Sequence, residues 1–340
     1  MCGLSLASVR QAAARMAGFL PVTPLHYESA RRAWLKLENQ QTTGSFKVRG
    51  ALHALLVRQA RGLHQPVVAA SAGNHGAGVA WAAQRLGIPA TIVVPQHTPQ
   101  AKLARIRQHG AEIMIVGASF DDSLIQAKHL ATRKGWSLIH AFDDPDVIAG
   151  QGTVALELLA AKPDVVVVPI GGGGLAAGMS LVLKAAGVRL VGVEVNGLNA
   201  MSRALAERQP LAAVPGSIAD GLRVRRVGEL TQAICREGLD EIIQVSESRV
   251  RSMMAALALG EGVLCEGAGA LAVAGLDQVD GERRIALVSG GNIDLEAMLG
   301  VVQSLAPHRV APTGHEARPM TQPASRSVER WGAKARWVTV

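Results

Sequence analysis

Between Val165 and Ile170 the chain passes six apolar residues in a row. It then stops at four consecutive glycines, Gly171, Gly172, Gly173 and Gly174, and resumes at once in an apolar pattern of helical period. An apolar run of that length without alternation is a strand buried on both faces, which belongs to a parallel sheet covered by helices. Glycines at the junction bare their backbone N–H groups, and a helix N-terminus behind them favours an anion such as phosphate.

The same grammar recurs along the chain. Strands are expected at 67–71, 90–95, 112–116, 164–170, 189–195, 241–245 and 284–289. Helices are expected at 74–86, 99–109, 120–134, 146–161, 174–186, 247–259 and 268–275. This is an α/β protein of two open, twisted, mostly parallel sheets with flanking helices. At 340 residues two bodies are expected. Residues 57–142 form a small inserted domain, and residues 1–56 with 143–306 a larger one, leaving a cleft between them for a ligand. Residues 307–340 turn polar and proline-rich, and a basic tail without regular structure is expected there.

The formal net charge is +8. Six of the basic residues, from Arg309 to Arg336, lie in the last tenth of the chain against only Glu316 and Glu329. The excess is therefore read as a solvated tail and not as a nucleic-acid site. Cys2, Cys235 and Cys265 are odd in number and form no CxxC, so neither a disulfide framework nor a zinc site is indicated. No apolar run is long enough to span a bilayer, and no secretory signal pattern opens the chain. A soluble, cytoplasmic protein is expected, with no nucleic-acid or membrane partner.

Three further strand-end or turn segments carry chemistry. Thr43-Gly44-Ser45-Phe46-Lys47-Val48-Arg49-Gly50 sets a lysine in a small-residue turn just before an apolar helical pattern. Desolvation of such a lysine lowers its pKa and makes it a nucleophile toward a carbonyl. Ser71-Ala72-Gly73-Asn74-His75-Gly76 offers hydroxyl, amide and imidazole groups beside free N–H donors, which suits a carboxylate. Ser289-Gly290-Gly291-Asn292-Ile293-Asp294 follows the last strand. In open α/β sheets such loops share one crevice at the carboxyl ends of the strands. The glycine run also satisfies GxGxxA from Gly172, with Glu194 22 residues on. An NAD-dependent dehydrogenase therefore stands as a rival, although it leaves Lys47, Asn74 and Ser289 without roles.

Taken together these segments resemble the fold type II pyridoxal-phosphate enzymes, specifically the serine/threonine dehydratases. The resemblance runs from about Thr23 to Leu299. It includes Leu35-Lys36-Leu37-Glu38-Asn39, Phe142-Asp143-Asp144-Pro145, Ile148 to Thr153 and Glu266-Gly267-Ala268-Gly269-Ala270. It implies a tryptophan synthase β-like fold and pyridoxal 5′-phosphate as cofactor. It also implies a catalytic Lys47 carrying that cofactor as an imine, and Phe46 beside the ring. Asn74 would meet the ring 3′-oxygen, Gly171 to Gly174 the phosphate and Ser289 the pyridine nitrogen. Ser71, Ala72, Gly73, Asn74 and His75 would receive the substrate carboxylate.

The implied reaction is β-elimination of a hydroxy amino acid such as L-threonine or L-serine to a 2-oxo acid and ammonia, by a homodimer or higher homo-oligomer. Similar serine racemases carry a serine where Ala72 stands, so dehydration is favoured over racemisation. A side-chain pocket shaped by Phe142 and residues 266–270 is expected. Dehydration of threo-3-hydroxyaspartate or of a hydroxyectoine-derived compound stays open, as does a noncatalytic amino-acid-binding protein. Family members that bind a divalent cation pair an acidic residue at the position of Glu194 with another six residues on. Ala200 stands there, so no metal is expected. No C-terminal amino-acid-sensing domain is expected beyond residue 307.

Overall fold

The structure, a computed structural model, describes residues 3–305, and the expected basic tail lies outside the described residues. Two sheets carry the fold. In the larger, the order is β1 (Leu25–Glu28), β2 (Ala33–Leu37), β10 (Arg284–Val288), β7 (Val165–Pro169), β8 (Arg189–Val195) and β9 (Glu241–Val245). Only β1 runs antiparallel to its neighbour. The smaller sheet is fully parallel, in the order β5 (Glu112–Ile115), β4 (Ala90–Val94), β3 (Val67–Ala70) and β6 (Ser137–Leu138). Every strand of the smaller sheet falls within residues 57–142, and every strand of the larger sheet outside it.

Central strands are apolar because helices cover both faces. All of β7 is buried, and Val167 sits in register with Ala286 and Val191. The helices are α1 (Leu6–Met16), α2 (Lys47–Ala60), α3 (Asn74–Leu86), α4 (Gln100–Arg107), α5 (Phe120–Lys134), α6 (Pro145–Leu158), α7 (Gly174–Leu183), α8 (Ala200–Leu205), α9 (Glu229–Gly238), α10 (Glu247–Gly260), α11 (Gly267–Gly275) and α12 (Leu295–Leu305). Their starts follow local chemistry. The Asp144 carboxylate caps α6 by accepting from the Asp146 and Val147 amides, with Pro145 at the first helical position.

Helices α2, α6 and α7 pack backbone to backbone. A Cβ on Gly50 would lie 2.7 Å from the Val147 carbonyl oxygen, and one on Gly150 would lie 2.6 Å from that of Arg49. Contacts that close lock the first turn of α2 to α6, and α6 lies against α7. The residue that opens α2 and the glycines that open α7 thus hang from one rigid stack.

The expected strands and helices form, with no end moved by more than three residues and 189–195, 241–245, 74–86 and 120–134 unmoved. Helix α6 stops at Leu158 and α7 at Leu183, and each continues as a 3₁₀ turn. Helix α2 forms on the apolar helical pattern after Lys47, for which the sequence sets no bounds, and α1, β1, β2, β6, α8, α9 and α12 are not among the expected elements. Strand β2 carries Lys36 as its fourth residue of five, which breaks the apolar run, yet Lys36 is only 1% exposed. Its ammonium donates to the Thr23 carbonyl at 2.7 Å and to Glu157 at 2.5 Å. Tertiary pairing overrides the local pattern there.

Candidate active site

The carboxyl ends of β3, β7 and β10 and the N-terminus of α2 border one cavity of about 580 Å³. Phe46, Lys47, residues 71–75, residues 171–174, Ser289 and Asn292 all line it. The four segments singled out in the sequence therefore meet. They are also tied to one another: the Phe46 amide donates to the Ser289 carbonyl at 3.2 Å and the Gly291 amide to the Gly44 carbonyl at 2.9 Å.

Lys47 is the first residue of α2. Its Nζ donates to the Ala141 carbonyl at 3.0 Å and lies 5.1 Å from the Phe46 ring centroid. Lys47 keeps some accessible surface on the cavity wall and is otherwise enclosed. Burial lowers its pKa to about 8, with the charge of Glu266 raising it in part. Roughly a tenth of the lysine is then a neutral, nucleophilic amine at pH 7, far more than for an ordinary lysine.

The glycine loop has the form of an anion site. The Gly172 carbonyl accepts from the Thr231 hydroxyl at 2.8 Å, and the Gly173 carbonyl from the Ala177 amide at 2.8 Å. Among the described residues, the amides of Gly171 to Gly174 donate to no acceptor. Carbonyls turned into the protein and free amides at the head of α7 are what a phosphate needs. Gly173 holds φ +91°, and a Cβ on Gly172 would collide with the Phe142 ring. The cradle therefore exists only with glycine at these positions.

The loop at residues 71–76 enters α3. The Gly73 amide donates to the Ser71 hydroxyl at 3.1 Å. Those of Asn74, His75 and Gly76 have no acceptor among the described residues. A carboxylate would meet these amides at a helix N-terminus. The His75 ring does something else. Its Nε2 donates to the Ile139 carbonyl at 2.9 Å, leaving Nδ1 buried without a partner. Burial, with Lys47 nearby, lowers its pKa to about 3, so the ring is neutral and presents a lone pair on Nδ1.

Ser289 is nearly buried and donates to the Ala268 carbonyl at 3.1 Å. Asn74 donates to Glu266 at 2.6 Å and accepts from Asn292 at 2.8 Å. Sequence reasoning gave Glu266 and Asn292 no individual role. Their signal was present, since both lie in the quoted runs, but the partners are 192 and 218 residues away. Burial and the charge of Asp220 raise the Glu266 pKa to about 7. Phe142 lies beside the glycine loop and stacks edge-on against His140, with centroids 4.7 Å apart.

Glu194 does not serve a dinucleotide. Its two carboxylate oxygens accept from the Met201 amide at 2.7 Å and from the Ser202 amide and hydroxyl at 3.2 and 2.5 Å, which caps α8. Burial raises its pKa. The acid that would bind a ribose is committed to its own chain.

Comparison with known proteins agrees with this geometry. A family model described as pyridoxal-phosphate dependent enzyme matches residues 16–291. The chain is 38% identical over 307 residues to an L-threonine ammonia-lyase of Thermotoga maritima, covering 86% of this chain and 76% of that one. It is 38% identical over 309 residues to a catabolic L-threonine dehydratase of Escherichia coli, covering 86% and 94%. Among solved structures, threonine deaminase isoform 2 from Solanum lycopersicum superposes with a TM-score of 0.81 at 32% identity, over 90% of this chain and 95% of that one. Maize serine racemase gives 0.82 at 31% identity, over 88% and 97%. The cofactor this implies fits the cavity, because the free glycine amides suit its phosphate and the enclosed Lys47 amine suits its aldehyde. The chain belongs to the pyridoxal-phosphate dependent enzymes of fold type II, in the family of the threonine ammonia-lyases.

Proposed function

We propose that this enzyme dehydrates and deaminates L-threonine, and L-serine less specifically, to the 2-oxo acid and ammonia. The observation that carries the proposal is the Lys47 amine, enclosed in a cavity that it shares with the free amides of the glycine loop. The names of the relatives supply the substrate.

Bound there, pyridoxal phosphate would supply an aldehyde that condenses with amines and a ring that draws electrons from Cα. The chain's residues do the rest. The amides of Gly171 to Gly174 would hold the phosphate, and Phe46 would pack beside the ring. Asn74 would donate to the ring 3′-oxygen. Ser289, whose hydroxyl here donates to the Ala268 carbonyl, would offer the pyridine nitrogen that neutral hydroxyl instead, which would leave the nitrogen less protonated than a carboxylate would. The N-terminus of α3, with residues 71–75, receives the substrate carboxylate. The Lys47 amine would be the base that takes the proton from Cα, for which a pKa lowered by burial equips it. Ala72 brings no acid or base to the opposite face, which disfavours the racemisation named for the maize neighbour.

We also assign residues 57–142 to a small domain inserted in a larger one, and we expect a homodimer or higher homo-oligomer working in the cytoplasm. No helix among the described residues is long and apolar enough to cross a membrane.

The test is 2-oxo acid and ammonia release from a panel of L-threonine, L-serine and threo-3-hydroxyaspartate, with Lys47→Ala as control. L-Threonine should be turned over fastest, and the control should lose at least about 1,000-fold. Equal rates for both proteins would contradict the assignment.

A further inference from the structure

Two side-chain amides beside the cavity have their orientation dictated by a backbone carbonyl. Asn292 Nδ2 donates to the Thr43 carbonyl at 2.8 Å and to Asn74 Oδ1 at 2.8 Å. A carbonyl only accepts, so the nitrogen end of Asn292 must face Thr43. The second hydrogen of that nitrogen goes to Asn74, so the atom that receives it must be the Asn74 oxygen. The Asn74 NH2 group is thereby turned the other way, toward Glu266, which accepts at 2.6 Å. That NH2 carries two hydrogens. Glu266 takes one, and no acceptor among the described residues takes the other.

Asn292 is itself held. The Ser45 and Gly290 backbones pair antiparallel, and the Gly291 amide donates to the Gly44 carbonyl. Gly44 has φ +73°, and a Cβ there would lie 3.0 Å from the Asn292 side-chain carbon, so the asparagine fills the space that glycine leaves. The loop after β10 thus grips the loop before α2 and reaches through Asn292 to the loop before α3.

We propose that Asn292 is a positioning residue: it fixes the Asn74 amide so that its unclaimed N–H points at the cofactor's ring oxygen. This rests on the reading above that Asn74 meets the 3′-oxygen. If Asn292 is removed, only Glu266 still orients the Asn74 amide, and with its pKa raised to about 7 that carboxyl can accept from the amide nitrogen when ionised or donate to the amide oxygen when protonated, so the amide can turn. A hydrogen bond to the 3′-oxygen stabilises its anionic form. Losing it strengthens the pull of that oxygen on the imine proton and raises the pH at which the imine deprotonates. Lys47, Glu266, Asp220, Lys102 and Arg105 also bear charge on this region, and they are unchanged in every variant below.

The experiment is a visible-absorbance pH titration of the cofactor-loaded protein, for wild type, Asn292→Ala, Asn74→Ala and the double variant. Asn292→Ala is expected to raise the midpoint by up to about one pH unit. Asn74→Ala should raise it at least as far, and the double variant no further than Asn74→Ala alone. If Asn292→Ala keeps the wild-type midpoint, or its shift adds to that of Asn74→Ala, the proposal is wrong. A merely structural role would lower the melting temperature without this dependence on Asn74. Should the alanine variant fail to fold, Asn292→Ser, too short to span both acceptors, carries the same expectation. A wild-type protein with no visible imine band would sink the underlying cofactor reading rather than the relay.

Discussion

Arg49 grips Glu38 with two nitrogens, Nε at 2.8 Å and NH2 at 2.7 Å, two residues beyond the lysine that forms the heart of the site. Its remaining nitrogen donates to Glu157 on α6 at 2.6 Å, and Lys36 donates to the other oxygen of Glu157. All four charges are buried or nearly so. Burial alone would lower the Arg49 pKa, but the Glu38 and Glu157 carboxylates outweigh it and hold the guanidinium above its ordinary value. The network pins the first turn of α2 between β2 and α6.

Removing one member of such a network strands its partners without water. Arg49→Met should therefore destabilise the fold by about 3 to 5 kcal/mol, read as a lower midpoint in urea unfolding at constant slope. Arg49→Lys, which keeps the charge but not the fork, should recover only part of the loss. A change below about 0.5 kcal/mol for Arg49→Met would mean that the network contributes nothing net.

In the cofactor-free protein Glu266 and Lys47 should contribute opposite pH dependences to stability, and the buried neutral His75, whose pKa is lowered to about 3, opposes the Glu266 contribution below about 6.5. The Glu266 pKa is raised to about 7, so at this carboxyl the folded state binds more protons than the unfolded one between about 4.5 and 7, and its own contribution to stability falls as pH rises through that window. The Lys47 pKa is lowered to about 8 from 10.5, so the unfolded state binds more protons between 8 and 10.5, and stability rises again there. The Glu266 and Lys47 contributions amount to about 3 kcal/mol each at most. Each is read as the difference between wild type and variant, Glu266→Gln for the first and Lys47→Met for the second, in urea unfolding at a series of pH values.

Gly172→Ala should weaken cofactor binding more than it weakens the fold. The added Cβ would run into the Phe142 ring at the edge of the cavity. A loss of roughly 10- to 100-fold in affinity for pyridoxal phosphate is expected, equivalent to about 1.4 to 2.7 kcal/mol. Quenching of intrinsic fluorescence by added cofactor measures it.

Cys235 and Cys265 should be inert in the native protein. Both are buried, and burial, helped by Glu194 beside one and Glu266 beside the other, pushes their pKa to about 12. At pH 8 a thiol-specific alkylating reagent should label them at least about 100-fold more slowly than in denaturant, with peptide mapping as the readout.

Much of the fold was legible because apolar strands and glycine-rich ends are local signals. Val165 to Ile170 followed by four glycines needs no partner to be read. Strand β2 was not read, because Lys36 looks polar until Glu157 and the Thr23 carbonyl are brought to it. Glu194 misled for the converse reason: its spacing from Gly172 fits a dinucleotide site, whereas its carboxylate caps α8. Within the site, Lys47, Asn74 and Ser289 stood out by their segments. The roles of Glu266 and Asn292 depend on hydrogen bonds between distant residues, which no local pattern encodes.

The most direct test is to reduce the cofactor-loaded protein with borohydride and map the modified peptide by mass spectrometry. The account predicts a reduced pyridoxyl-phosphate adduct on Lys47 and on no other lysine. An adduct on another lysine, or none at all with cofactor bound, would contradict it.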